Sequence, residues 1–121
     1  MKVATREAYG KTLAALAKEN KNIIVLDADL SGSTKTKEVK AVAPEQHYNM
    51  GIAEGNMMAV AAGLAASGNI VFASSFAMFA TGRAFEQIRN SIGYPHLNVK
   101  VCASHAGLTV GEDGDAYGQS Q

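Results

Sequence analysis

The sequence predicts an α/β fold in which a mainly parallel, twisted sheet is flanked by helices. Three short runs, at 23–26, 70–73 and 99–103, predict strands, and the first two have the pattern of strands that are covered on both faces. Stretches rich in Ala, Leu and Met, with helical spacing of their apolar positions, separate these runs. Because strands that alternate with helices form parallel sheets, this order favours the α/β class.

The first half of the chain begins with a predicted helix over residues 5–19, with Thr5 as its N-cap. Its apolar face consists of Tyr9, Leu13 and Leu16. The strand at 23–26 follows, and a polar loop, Asp27-Ala28-Asp29-Leu30-Ser31-Gly32-Ser33, lies at its carboxyl end. Residues 34–42 predict a short helix that Pro44 stops.

The second half predicts an extended piece at 47–50 that leads through Gly51 into a helix over 53–66. The strand at 70–73 is followed by a loop that changes from polar to aromatic, and then by a helix over about 81–92. After the strand at 99–103, glycines and few apolar residues predict a loop. We expect one domain over residues 1–114 and an atypical, loop-like tail over 115–121.

Composition excludes several classes of protein. The 121 residues carry 11 Lys+Arg and 11 Asp+Glu, without the basic excess of a nucleic-acid groove or an anionic-membrane surface. No apolar run approaches the roughly 20 residues that span a bilayer, and the N-terminus does not have the pattern of a signal peptide. The single cysteine, Cys102, forms no internal disulfide and is expected in the core. We therefore expect a soluble cytoplasmic domain that binds neither nucleic acid nor membrane.

Glu54 is an acid in the opening turn of an apolar helix. Such an acid commonly does no more than complement the helix dipole. A carboxyl group surrounded by Ile, Met and Ala would instead be desolvated, and would hold a proton or bind a ring nitrogen. From this segment alone the simpler interpretation is favoured about two to one.

Three other segments carry candidate chemistry. Ser74-Ser75-Phe76-Ala77-Met78-Phe79 predicts either the aromatic wall of a flat-ligand pocket or ordinary core. The loop at 27–33 is by default a turn. The loop at 104–114 combines glycines with His105 and two acids after a strand, which is typical of a site at the carboxyl edge of a parallel sheet.

Taken in order, these segments resemble the pyrimidine-binding domain of transketolase, and most closely the C-terminal-section subunit of split transketolases. The resemblance runs from Val3 to Asp113. Its motifs are Ala-Thr-Arg at 4–6, the loop at 27–33, Gly-Ile-Ala-Glu-Gly-Asn-Met at 51–57, Ser-Ser-Phe-Ala-Met-Phe at 74–79 and Gly-Leu-Thr-Val-Gly-Glu-Asp-Gly at 107–114. This resemblance reverses the simpler interpretation of Glu54.

The resemblance implies thiamine diphosphate as cofactor and the transfer of a two-carbon ketol unit between sugar phosphates, as in the pentose phosphate pathway. Glu54 matches the glutamate that hydrogen-bonds the pyrimidine N1′ and, with His105, is the implied catalytic residue. The other implied cofactor contacts are Phe79, Phe76, Asp29 and Ile52. The implied sugar-phosphate contacts are Arg6, Ser33, His105 and Asp113.

The sequence also departs from the family pattern. Gly82 stands where many members have a third aromatic residue, and Tyr117 where a substrate histidine is expected. The motif that holds the metal and the diphosphate is absent, so the resemblance implies a diphosphate-binding N-terminal-section subunit as partner in a homo- or hetero-oligomer. That partner would supply most of the ligands of the Mg²⁺ or Ca²⁺ ion, and no residue of this chain is assigned as a metal ligand. Alone, the chain would be catalytically inactive.

Other interpretations stay open at this point. Deoxyxylulose-phosphate synthase and the β subunits of 2-oxoacid dehydrogenases share the implied fold and glutamate. A truncated, non-catalytic interaction domain would also explain the Met-rich helix at 53–66, because small and flexible apolar side chains permit close packing of another subunit. Tyr9 receives no role, and His47 and His96 are expected on the surface.

Overall fold

A four-stranded parallel sheet forms the centre of the chain in the computed structural model, which describes residues 1–108. The strands are β1 (Ile23–Asp27), β2 (His47–Asn49), β3 (Ile70–Phe76) and β4 (Val99–Ser104). The helices are α1 (Thr5–Glu19), α2 (Ser31–Thr34), α3 (Lys37–Val42), α4 (Glu54–Ala66), α5 (Ala77–Thr81) and α6 (Phe85–Gln87). A 3₁₀ turn at Pro44–Gln46 precedes β2, and a π-helical segment at Ile88–Gly93 continues α6. The α/β class with a parallel sheet is therefore confirmed.

The two faces of the sheet pack against two separate cores. In β1, Ile23 and Val25 pack with Leu13 of α1 and Val39 of α3, whereas Leu26 packs on the opposite face with the α4 side chains. This division follows from the alternation of side chains along a strand. The burial of β1 on both faces confirms the interpretation of its continuous aliphatic run.

The strand order β2-β1-β3-β4 defines where a ligand is expected. The chain adds β2 on one side of β1 and then crosses over to add β3 and β4 on the other side. Connections that leave the carboxyl ends of β1 and β3 therefore diverge and open a crevice between them. Ligands of open parallel sheets bind at such a switch point.

The region after β3 differs from its prediction. Instead of a loop and one helix over 81–92, β3 continues to Phe76 and α5 begins directly at Ala77. This helix ends at Thr81 and is followed by Gly82, where an added Cβ would lie 2.8 Å from the carbonyl oxygen of Met78. The chain then turns into α6 and the π-helical segment. Glycine is thus required by the close approach of the backbone at position 82.

His47 is buried, and its expected place on the surface is wrong. Its Nε2 lies 2.5 Å from Oδ2 of Asp27, the buried last residue of β1. Ser31 and Thr36 donate hydrogen bonds to the same carboxylate oxygen, at 2.7 and 2.9 Å. Burial alone would raise the pKa of Asp27, but the hydrogen bonds from His47, Ser31 and Thr36 hold it below its usual value. This network fixes the loop after β1.

Three remaining predictions concern Cys102, the C-terminal residues and the length of the helices. Cys102 lies in the predicted strand, β4, but it is only half-buried, so its expected place in the core is wrong; burial raises the pKa of its thiol. Asp113, the domain boundary at 114 and the tail at 115–121 lie outside the described residues and stay predictions. Across residues 1–108, the helices are too short or too polar to cross a bilayer.

Candidate functional site

The first part of the site combines a buried acid, an aromatic ring and a planar cation. Glu54 opens α4 and its side chain is only 3% exposed. Arg83 reaches it from the turn between α5 and α6, with its Nε 3.1 Å from Oε1 of Glu54. The guanidinium carbon of Arg83 also lies 4.0 Å from the centre of the Phe79 ring. The cation thus compensates a buried charge and covers an aromatic face.

An aromatic row extends from Phe79 to His105. The rings of Phe79 and Phe76 are stacked with centroids 5.9 Å apart, and the ring of His105 lies 4.1 Å from that of Phe76. Nδ1 of His105 and the hydroxyl of Ser104 share a 2.8 Å hydrogen bond. Burial, and secondarily the charge of Arg6, hold the pKa of His105 below its usual value, so the imidazole is neutral near pH 7.

Arg6 lies beside this row and connects α1 with α2. Its Nη1 donates to the carbonyl oxygen of Ser33 at 3.4 Å. Arg6 and Ser104 line a cavity of about 190 Å³, together with Tyr9 and Thr34. The Tyr9 hydroxyl is 2.7 Å from that of Ser74, and burial raises its pKa, so Tyr9 provides a neutral hydroxyl in the wall. This arrangement brings the predicted substrate residues Arg6, Ser33 and His105 to one region.

Asp29 and Ile52 lie in a second group at the ends of β1 and β2. The amide oxygen of Asn49 accepts the backbone N–H groups of Asp29 and Gly51, each at 2.9 Å. The amide nitrogen of Asn49 donates to Oδ1 of Asp29 at 3.1 Å. These contacts hold Asp29 at a φ of 61° and join the two loops. Ile52 directly follows Gly51 in the loop after β2 and is 73% exposed.

Two residues of the site were not selected from the sequence, namely Arg83 and Asn49. Glu54 and Arg83 are the only Asp, Glu, Lys or Arg residues between Glu45 and Glu86, so two lone and opposite charges mark this stretch. That pattern was a usable signal for their pairing. Asn49 offered no comparable signal, because its role depends on the distant loop at Asp29.

The site has the chemistry of a pocket for a flat, protonatable ring. A buried carboxylate supplies an acceptor, and one face of Phe79 lies close enough for a planar group to cover it and pair with Glu54. Ser75, at the carboxyl end of β3, adds a buried hydroxyl that has no protein hydrogen-bond partner. Within residues 1–108, no group of three or more His, Cys, Asp and Glu is arranged to hold a metal ion.

This chain is similar to known proteins that are transketolases or parts of transketolases. Residues 1–119 match the model of the transketolase pyrimidine-binding domain. A protein of Methanocaldococcus jannaschii assigned as a transketolase C-terminal section is 59% identical over 112 residues, which cover 93% of this chain and 35% of that protein. Human transketolase is 43% identical over 114 residues, which cover 93% of this chain and 18% of the human enzyme. The chain thus spans about a third or less of the length of these relatives.

A solved structure of a split-gene transketolase, described as an inactive beta4 tetramer, has the same fold. It superposes with a TM-score of 0.82 at 58% identity and covers 99% of this chain and 38% of its own. The parallel sheet with its flanking helices is therefore the one found in that protein. On the match over residues 1–119 and these identities, the chain belongs to the transketolase family and corresponds to its pyrimidine-binding domain.

Proposed function

We propose that this chain forms the pyrimidine-binding wall of a thiamine diphosphate-dependent transketolase that is active only with a diphosphate-binding partner subunit. The observation that carries the proposal is the buried carboxylate of Glu54 beside the Phe79 ring. When bound, thiamine diphosphate would supply the carbanion chemistry, which amino acid side chains do not provide.

Glu54 would act on the cofactor by proton exchange. Its position in the first turn of α4 fixes the carboxylate at the edge of the pocket, and its burial excludes water from the hydrogen bond that it makes. We assign it to the pyrimidine N1′, where it would hold or accept a proton as general acid–base catalysts do. Phe79 and Phe76 would pack against the ring and orient it.

Arg6, Ser33 and His105 would bind the sugar phosphate. A guanidinium group suits a phosphate because its charge-assisted hydrogen bonds match the phosphate oxygens in geometry. The neutral imidazole of His105, at the end of the aromatic row, would donate or accept a hydrogen bond at a sugar hydroxyl. The cavity of about 190 Å³ beside Arg6 provides room for part of such a substrate.

The partner would supply the metal and the diphosphate site. Residues 1–108 hold no cluster suited to Mg²⁺ or Ca²⁺, whereas the diphosphate requires such a cation. We therefore assign the metal mainly to a separate subunit that corresponds to the N-terminal section of split transketolases. The active site would lie between the two polypeptides.

The test is a reconstitution of ketol transfer. The complete subunit that carries this chain is mixed with the diphosphate-binding subunit, thiamine diphosphate and Mg²⁺, and transfer from a ketose phosphate to an aldose phosphate is followed. Turnover that requires both subunits is the expected result. A stable complex of the two subunits that binds the cofactor but transfers no ketol unit would contradict the proposed reaction, and would leave a binding module.

A further inference from the structure

We infer that Arg83 occupies the place of the cofactor ring in the unliganded protein and leaves it when the aminopyrimidine binds. This inference rests on the proposed function and concerns the same pocket. It assigns to Arg83 a positioning role, because the residue would act through Glu54 and Phe79 and would set the affinity for the cofactor.

Arg83 makes both of the contacts that the proposed function assigns to the pyrimidine, one with Glu54 and one with the ring of Phe79. Nε of Arg83 is 3.1 Å from Oε1 of Glu54, which is hydrogen-bond distance to the carboxylate expected to bind N1′. The guanidinium carbon lies 4.0 Å above the centre of the Phe79 ring, which is contact distance for a stacked planar group. A pyrimidine stacked on this face of Phe79 would overlap the guanidinium group.

Arg83 is also free to move away. Its side chain is 54% exposed, so a path to solvent is open, whereas that of Glu54 is 3% exposed and fixed in α4. The turn that carries Arg83 follows Gly82 and separates two short helices, α5 and α6. A long and flexible side chain on such a turn can exchange one partner for water while the carboxylate stays in place.

This exchange has a thermodynamic consequence. Arg83 stabilises only the unliganded state, because its two contacts are lost when the ring binds. Removing the guanidinium group should therefore weaken the unliganded protein and leave the cofactor-bound protein unchanged. By linkage, the affinity for the cofactor must then increase. One cation–π contact and one half-exposed ion pair together correspond to about a tenfold change in affinity.

The experiment compares Arg83→Met with Arg89→Met in the complete subunit mixed with its diphosphate-binding partner. Arg89 pairs with Glu86 on the exposed side of the neighbouring segment, so its variant is a control for the loss of one charge. Thiamine diphosphate with Mg²⁺ is titrated by calorimetry. We expect Arg83→Met to bind about tenfold more tightly than the wild type, and Arg89→Met to bind equally. Equal or weaker binding by Arg83→Met would overturn the inference.

A second measurement does not depend on the cofactor. Thermal unfolding of the unliganded subunit is compared for Glu54→Gln, Arg83→Met and the double variant. We expect the two substitutions to be strongly non-additive, because each removes the partner of the other; additive effects would overturn the inference. If the two substitutions are coupled in this way but the wild-type protein binds no thiamine diphosphate, the proposed function is refuted, and the inference with it. Binding by the wild type without tighter binding by Arg83→Met would refute the inference alone.

Discussion

At the scale of single residues, a substitution of Glu54 distinguishes a catalytic role of this chain from a role in subunit association alone. Glu54→Gln keeps the size and polarity of the side chain but cannot exchange a proton with N1′. We expect ketol transfer by the reconstituted enzyme to fall on the order of 10²- to 10⁴-fold, the usual contribution of a general acid or base. Sedimentation should show the complex of the two subunits unchanged. Glu86→Gln, in an exposed ion pair, is the control, and full activity of Glu54→Gln would contradict the assigned role.

Arg6 tests whether the substrate is phosphorylated. Arg6→Ala removes one charged donor from the cavity beside His105. We expect the KM for a phosphorylated aldose acceptor to rise about 10- to 100-fold, which corresponds to the loss of a hydrogen bond to a charged group. The KM for an unphosphorylated aldehyde acceptor should change little. Lys11→Ala removes a neighbouring positive charge on α1 and is the control. An equal effect on both acceptors would remove Arg6 from phosphate binding.

The Asp27 network predicts a pH dependence of stability. The pKa of Asp27 is lower in the folded protein than in the unfolded chain, where it is about 3.9. The carboxylate therefore contributes stability that is present above about pH 4 and is lost as the pH falls through the lower, folded pKa. Urea unfolding of Asp27→Asn and wild type over a pH series should show their difference in stability shrink below pH 4. Glu45→Gln, in an exposed ion pair, should not share this behaviour.

These residues also show what the sequence could reveal. Glu54 was recognisable because it is an isolated acid in an apolar helix start. The burial of His47 was not, because it depends on Asp27, which is 20 positions away and reached only through the pairing of β1 with β2. Local pattern carries no information on such a partner. The roles of Asp29, Ile52 and Asp113 in ligand binding stay predictions.

At the scale of elements, the packing of α1 depends on one glycine. A Cβ at Gly10 would lie 2.6 Å from Cβ and 2.7 Å from the carbonyl oxygen of Lys35, in the connection between α2 and α3. We expect Gly10→Ala to lower the free energy of unfolding by about 1–3 kcal/mol, because overpacking outweighs the gain in helix propensity. Gly63→Ala in α4, with open space around it, should instead stabilise by about 0.5–1 kcal/mol. Denaturant unfolding measures both, and stabilisation by Gly10→Ala would contradict the close contact.

Long periodic segments were predictable, and the segment around the site was not. The predicted helices over 5–19 and 53–66 correspond to α1 and α4 within one residue at each end. The helix predicted over 81–92 is wrong at its start, because residues 77–81 already form α5. Phe85 in α6 is exposed, while Ile92 in the π-helical segment is buried. Helices this short, and a π-helical segment with a different spacing, offer too few turns for apolar periodicity to identify them.

At the scale of the whole molecule, the site follows from topology. Neighbouring strands β1, β3 and β4 run parallel, so their carboxyl ends bring Asp27, Phe76 and Ser104 to one edge. The alternation of strands and helices in the sequence was enough to predict that edge. It did not predict which loops contact each other there, because the order of the strands in the sheet depends on pairing between distant segments and cannot be inferred from the pattern of any one of them.

The same topology leaves β4 at a sheet edge within the described residues. It pairs with β3 on one side, and Val101 is 37% exposed. The relatives extend well beyond the matched region, since it covers 35% of the M. jannaschii protein. Expressed by itself, the 121-residue chain should therefore self-associate through this exposed edge, because unpaired strand groups recruit another strand.

A lysine on this edge should reduce that association, since charged side chains oppose the pairing of like edges. In sedimentation velocity, we expect Val101→Lys to shift the isolated chain towards the monomer. Val42→Lys makes the same substitution at an exposed valine at the end of α3, shortly before β2 at the opposite edge of the sheet, and should leave the association unchanged. In the complete subunit, Val101→Lys should have a smaller effect, because more of the chain is then available to cover the edge. A wild-type chain that stays monomeric at high concentration, or equal effects of the two lysines, would show that β4 does not mediate self-association.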